Sequence, residues 1–254
     1  MSKIILITGA TGSIGSELCK HLAQKGYELL ITARNEEKLA LLTMTLKKEF
    51  KTEVTYAASD FAEPKTFSKL IKKVEEGIDG LVIMPPQPLE TTDCLPEDEV
   101  WSTMFKASFI GPVALIRDLI PALKIRAGGV VIISGISSKQ PLSKYATSNV
   151  LRTAWVGQVK TLADVYGPEG LRFNTLSLGG IMTEKLMEKV RKEKGNDGLS
   201  VSHALKERFS NVPLRKYAEI KEVTDMIDIL LNSVASKHIT GQNMPFDGGF
   251  TRPY

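Results

Sequence analysis

Short β-branched runs and apolar stripes at helical spacing alternate along this chain from end to end, and that alternation restricts the fold more than any other feature. "KIILIT" (3–8) reads as a strand ending at a glycine, and Ile14, Leu18 and Leu22 then mark a helix closed by Gly26. "YELLITA" (27–33) is a second strand. Asn35 is placed to cap the next helix, with Glu36 and Glu37 in its first turn and Leu39, Leu42 and Leu46 along one face. "EVTYAA" (53–58), "IDGLVIM" (78–84), "GVVIIS" (129–134) and "LRFNTLSL" (171–178) continue the strand series. Helices are predicted at Phe67, Leu70, Ile71 and Val74, over 96–123 with an interruption at Gly111-Pro112, and over 145–166. A charged helical segment (183–210) broken at "GNDG" (195–198), a helix over 219–231 and a last strand within "ITGQNMPFDGG" complete the pattern. Short connections between alternating strands and helices require right-handed βαβ units. The expected fold is therefore α/β, one doubly wound parallel sheet with helices on both faces. No linker, tandem repeat or low-complexity tract divides the chain, so residues 1–254 are expected to form a single domain.

The composition is that of an ordinary globular protein, 43% hydrophobic and 24% charged. The net charge of +4 comes from 33 basic and 29 acidic residues with no dense basic block, so neither nucleic acid nor a membrane is an expected partner. Cys19 and Cys94 are the only cysteines, which leaves no disulfide framework and no thiolate zinc site. His21, His203 and His238 contain no i,i+4 pair, so no metal site is expected. "IILI" reads as a first strand and not a signal peptide, and no apolar run approaches bilayer-spanning length. A cytoplasmic protein is expected.

Gly9, Gly12 and Gly15 fall at every third position of "ITGATGSIGSEL", between the first strand and the first helix. A glycine-rich turn there lets the backbone approach a pyrophosphate, whose charge is met by the helix N-terminus. A dinucleotide fold often ends its second strand on an acid that holds ribose hydroxyls. Here Ala33 takes that position and Arg34 follows it. A guanidinium suits a 2′-phosphate better than a diol, which favours NADP over NAD. Asp60, after the third strand, is placed either to accept from an adenine amine or to cap a turn.

The order and spacing of several segments resemble the short-chain dehydrogenase/reductase family, in particular its β-ketoacyl carrier-protein reductase-like members. "TGATGSIG" is similar to the family's T-G-x-x-x-G-x-G loop, and "GPEGLRFNTLSLGGIMTEKL" to its stretch after the tyrosine helix. "VPLRKYAEIKEV" with "ITGQNMPFDGG" is similar to its C-terminal signature, so the likeness runs from Met1 to about Gly249. The resemblance implies a seven-stranded Rossmann sheet, a nicotinamide cofactor, and hydride transfer while a tyrosine manages the oxygen's proton. It implies cofactor contacts from the loop (Gly9, Thr11, Ser13, Ile14, Gly15), from Arg34, Asp60, Phe61 and Met84, and from Tyr145, Gly179, Ile181 and Thr183. It also implies a homodimer or homotetramer through the helices flanking the fifth strand, where Trp155, Val156, Val159 and Leu162 supply apolar surface.

The catalytic positions depart from the family's Asn, Ser, Tyr and Lys. Ser108 stands for the asparagine, Gly135 for the serine with Ser134 just before it, and Asn149 for the lysine; Tyr145 matches. The family's N-N-A-G becomes Ile83-Met84-Pro85-Pro86, and Ser13 takes the loop's second glycine position. The expected catalytic set is Tyr145, Ser134 and Asn149. A free phenol has a pKa of about 10, so Tyr145 needs a cation nearby to form phenolate near neutral pH. Lys139, Lys144 and Arg152 are the candidates, and Arg152 at i+7 stands about 10 Å up a helix axis, long for direct contact. Met84, Pro85, Pro86, Ile136, Met182, Leu186 and Met187 fall near the sheet edge where ligands sit, favouring an apolar substrate. Residues 183–210 are a candidate lid. Two functions follow as expectations: an oxidoreductase acting on a carbonyl or hydroxyl group of a small molecule, or a dinucleotide-binding protein with little chemistry, acting as sensor or assembly partner.

Overall fold

The computed structural model describes residues 2–86, 93–194 and 198–252. The strands are β1 (Ile4–Thr8), β2 (Glu28–Thr32), β3 (Val54–Tyr56), β4 (Gly80–Ile83), β5 (Gly129–Gly135), β6 (Arg172–Leu178), β7 (Ile181–Met182), β8 (Ala218–Glu219) and β9 (Gln242–Phe246). The helices are α1 (Ser13–Gln24), α2 (Glu36–Phe50), α3 (Ser68–Ile71), α4 (Asp98–Phe105), α5 (Gly111–Arg126), α6 (Ala146–Tyr166), α7 (Glu184–Lys194), α8 (Gly198–Phe209) and α9 (Ile220–Asn232).

Seven strands make one parallel sheet in the order β3-β2-β1-β4-β5-β6-β9, and β7 pairs with β8 in a separate two-stranded ribbon. This is the doubly wound Rossmann arrangement, with its topological switch between β1 and β4. Alternate residues feed two core layers. Leu6, Leu81 and Ile132 pack with Leu115, Leu119 and Trp155 of α5 and α6. Ile5, Ile7, Val82 and Val131 pack with Leu18 and Leu22 of α1 and Val223 and Ile227 of α9. β9 lies at the sheet edge, which is why it tolerates Pro245, a residue with no N–H to give a ladder. Asn35 caps α2 as expected, its Oδ1 accepting the Lys38 N–H at 2.8 Å. Among the described residues no helix is long and apolar enough to cross a membrane.

The structure corrects the sequence reading in four places. The third strand is three residues long, not six. The helix expected around residues 67–74 is a 3₁₀ turn (Pro64–Phe67) followed by the single turn of α3, and Lys73 and Val74 close back through i→i−3 bonds. Gly111-Pro112 does not interrupt its helix. The chain stays helical by widening into a π-helical stretch, Lys106–Ile110. Pro112 has no N–H for the carbonyl of Ser108, four residues earlier, and the indole Nε1 of Trp155 donates to that carbonyl instead at 3.0 Å. Finally, Trp155 and Val159 are buried in the chain's own core, 2% and 1% exposed, so neither is surface for a partner. On α6 the exposed apolar side chains are Val150 and Val165.

Candidate active site

The β1 side of the sheet's carboxyl edge is shaped by backbone. Thr8, at the end of β1, accepts the Met84 N–H through Oγ1 (2.8 Å) and donates to the Val82 carbonyl (3.1 Å), pinning β1 to the end of β4. Gly9 follows with φ +62°, a left-handed conformation that favours glycine, and a Cβ there would stand 3.1 Å from Met84 Cβ. A Cβ on Gly15 would collide with the Gly9 carbonyl and lie 2.9 Å from Ala10 Cα, so the first turn of α1 rests directly on the loop. The N-cap of α1 is Gly12, which supplies no side-chain cap, and no acid stands in the first turn. The amides of this helix end are thus left for an anion, with Gly12 and Ser13 exposed and Thr11 and Ile14 half-buried beside them. Arg34 lies two residues past β2, exposed and without an ion-pair partner among the described residues.

Asp60 takes the turn-capping option, its Oδ1 accepting the Ala62 N–H at 2.9 Å. Phe61 packs edge-on against Phe67 with ring centroids 6.3 Å apart, and its carbonyl lies where a Cβ on Gly111 would stand. This contact seats the π-helical stretch against the turn that follows β3.

The β5 side is shaped by side chains. Tyr145 is the residue before α6, with non-helical dihedrals (φ −139°, ψ 47°), half-buried. Asn149 does not extend as the family's lysine would. Its amide grips the main chain of Leu142, Nδ2 donating to the carbonyl (3.0 Å) and Oδ1 accepting the N–H (3.2 Å). The Tyr145 N–H donates to that same carbonyl (3.1 Å), so Asn149 fixes the loop from which Tyr145 projects. Ser134, a member of the expected catalytic set, has a buried Oγ with no hydrogen-bond partner among the described residues and is not hydrogen-bonded to Tyr145. Ser108 likewise turns away from this centre, its Oγ directed at the Pro86 carbonyl (3.4 Å).

Arg152, a candidate cation whose distance along a helix told against it, and a set of hydroxyls that no motif marks converge here. The Arg152 guanidinium lies where a side chain at Gly135 would go, with Nε 2.9 Å from the Cβ position and Nη1 and Cζ closer still. Arg152 Nη1 donates to Ser137 Oγ (3.3 Å), which lies 3.4 Å from Ser148 Oγ. Ser138 Oγ meets Ser177 Oγ (2.9 Å) and accepts from Asn243 Nδ2 (3.0 Å), while Asn243 Oδ1 accepts from Ser177 and Thr175, tying together the ends of β6 and β9. The signal that could have found Arg152 was the glycine at 135, read as a loss when it is also a space. The distance argument against Arg152 assumed an ideal helix through Tyr145, whose backbone lies outside one.

Beyond β6, the Gly179 N–H donates to the Phe246 carbonyl (3.0 Å), and a Cβ on Gly180 would stand 2.5 Å from the Tyr217 ring. Ile181 pairs with Ala218 in the β7–β8 ribbon. Thr183 caps α7, its Oγ1 accepting the Leu186 N–H at 3.2 Å. α7 and α8 form a helical pair over the expected lid region with Val190 and Ala204 buried, and residues 195–197 lie outside the described residues. Among the described residues no cluster of His, Cys, Asp or Glu could hold a metal ion.

Comparison with known proteins gives a consistent family picture. A family profile described as enoyl-(acyl carrier protein) reductase matches residues 9–251. The chain is 29% identical over 254 residues to the 3-oxoacyl-(acyl-carrier-protein) reductase of Rickettsia typhi, covering 97% of this chain and 96% of the relative. Among solved structures it is similar to the L-sorbose reductase of Gluconobacter frateurii complexed with NADPH and L-sorbose, with TM-score 0.91 and 24% identity over 100% of this chain and 98% of the other. It is also similar to an NADPH-bound short-chain oxidoreductase of Pseudomonas aeruginosa PAO1 containing an atypical catalytic center, with TM-score 0.89 and 20% identity over 99% and 98% of the two chains.

Proposed function

Because the chain belongs to the short-chain dehydrogenase/reductase family, a family of oxidoreductases, we propose that it is an NADP(H)-dependent reductase of a carbonyl group on an apolar small molecule, with Tyr145 as proton donor. The observation that carries this reading is placement. Tyr145 stands at the same carboxyl edge as the glycine loop, in the segment that leads from the end of β5 into α6.

The residues present suit the dinucleotide. The uncapped N-terminus of α1 is open to a pyrophosphate, and the exposed, unpaired Arg34 suits a 2′-phosphate. Both solved relatives described above carry NADPH, which supports the same choice. When bound, the nicotinamide supplies hydride chemistry. The chain's own part is to hold a proton on the Tyr145 hydroxyl for the substrate oxygen, a task a neutral phenol can perform in the reductive direction. Half-buried Met84, Pro85, Met182, Leu186 and Met187 favour an apolar substrate, with α7 and α8 as its lid. Exposed Val150 and Val165 are the apolar surface through which α6 would pair with a second copy.

A second reading, a nucleotide-binding sensor with little chemistry, is favoured by the buried, unpartnered Oγ of Ser134 among the described residues and by Asn149 committed to the Leu142 loop. Calorimetry and turnover separate the two. NADPH is expected to bind about tenfold or more tighter than NADH, a difference of about 1.4 kcal/mol, and Arg34→Ala is expected to erase the preference. Oxidation of NADPH by a panel of apolar aldehydes and ketones is expected to vanish in Tyr145→Phe. NADPH binding with no turnover on any of the panel favours the sensor, and binding of neither nucleotide sinks both.

A further inference from the structure

We infer that Arg152 replaces the missing lysine: its guanidinium, lodged in the space left by Gly135, is the cation that stabilises the Tyr145 phenolate. The inference rests on the reading of Tyr145 as the proton-handling group and goes beyond it by assigning the charge that makes it effective.

Four observations lead there. First, residues 135 and 152 are mutually exclusive in their occupancy of one space. Any side chain at 135, the family's serine included, would displace the guanidinium, so the absent serine and the inserted arginine are two halves of one change. Second, Arg152 is half-buried without a carboxylate partner among the described residues. Its single hydrogen bond there is a long one, 3.3 Å, to the neutral hydroxyl of Ser137. A half-buried cation in that state attracts a nearby anion more strongly than one in open water would.

Third, among the described residues the charge coupled to the guanidinium is that of Tyr145. Burial pushes the Arg152 guanidinium down from the ordinary arginine range, while negative charge on Tyr145 acts to raise it. An arginine nevertheless remains protonated under all working conditions, so the coupling falls on the tyrosine. Fourth, Asn149 cannot serve, being uncharged and bonded to Leu142. Among the described residues, Lys139 and Lys144 in the preceding loop and Asp98, Glu99 and Lys106 on the α4 side are all exposed to water that screens them. Arg172 of β6 is spent on the carbonyls of Leu230, Leu231 and Ser236.

The test needs no substrate. Ultraviolet difference titration of tyrosinate in the full-length protein, parent minus Tyr145→Phe, isolates the Tyr145 phenol. Its midpoint is expected below the ordinary tyrosine value of about 10 and about one pH unit or more below the midpoint in Arg152→Met, a tenfold change in ionisation constant. Arg152→Lys is expected to restore part of the shift. Gly135→Ala, which keeps the arginine but evicts its guanidinium, is expected to raise the midpoint in the same direction as Arg152→Met. Should Arg152→Met fail to fold, Gly135→Ala carries the test. Unchanged midpoints in the folded variants overturn the assignment. A shifted midpoint together with undiminished NADPH oxidation in Tyr145→Phe would leave the Arg152–Tyr145 coupling standing and remove the catalytic reading alone.

Discussion

At the β1 end of the carboxyl edge the site is made of main chain, with Gly15 seated on the Gly9 carbonyl and helix amides left uncapped. At the β5 end the same edge is filled by side chains, with Arg152 over Gly135 and bonded to Ser137, and the hydroxyls of Ser138 and Ser177 linked to each other and to Asn243. The difference teaches how each half can change. A site built from backbone admits almost no substitution, because any added atom meets another backbone atom. A site built from side chains can exchange one residue for another wherever a second change makes room. The family's serine and lysine have gone from the second half, while Gly9 and Gly15 of the first remain.

The sharpest way to break the contrast is Gly15→Ala. Forcing a methyl against the loop backbone is expected to cost about 1–3 kcal/mol of stability, read by chemical denaturation, and to abolish detectable NADPH binding. Asn149→Lys asks whether the β5 half can be returned to the family pattern one residue at a time. The new lysine forfeits both bonds to Leu142, about 0.5–1.5 kcal/mol each, and loosens the loop that holds Tyr145. Turnover is expected to fall, not rise, and an increase would show that the loop does not depend on Asn149.

The smallest expected effect comes from a pair of helices outside both halves. Asp228 of α9 accepts from Lys25 Nζ (2.5 Å) and Asn232 Nδ2 (2.7 Å). Burial pushes its carboxyl upward, but these bonds and the Lys25 charge outweigh it and hold the group below the usual carboxylate range. A depressed folded-state pKa contributes stability above the unfolded carboxylate value of about 3.9, and this is lost as pH falls from there through the folded value. Asp228→Asn is expected to flatten that acid-side decline in denaturant midpoints while leaving NADPH affinity unchanged. A change in affinity would mean that the α1–α9 contact reaches the glycine loop.

Most of the sheet was legible because each strand's burial shows directly in its residues: "GVVIIS" has no polar alternation and lies between two helical layers. The cap of α2 at Asn35 was equally plain, since the signal is local. What was not legible depended on groups distant in sequence. The rescue of the Ser108 carbonyl by Trp155, 47 residues away, let the helix run through Gly111-Pro112, where local chemistry alone predicts an interruption. The short α3 reflects tertiary packing of Phe67, Leu70 and Val74 and not helical propensity. At the candidate site Tyr145 and the glycines could be located by motif. The seat of Arg152 could not, because a missing side chain at 135 carries no sign of what fills its place.

The widened turn at Lys106–Ile110 has a further consequence, for the direction in which the preceding helix faces. A π-turn holds one residue more than the α-helical turn it replaces, and the same residues wound as a regular α-helix would turn everything before them by about 100° about the helix axis. α4 would rotate with it. Trp101 and Phe105 would then leave the line of rings that continues through Phe109 (6.3 Å from Phe105) to Trp155 (5.1 Å from Phe109). The widened turn thus works as an indexing notch that keeps the angular phase of α4, with the indole of Trp155 as the pin that seats in it.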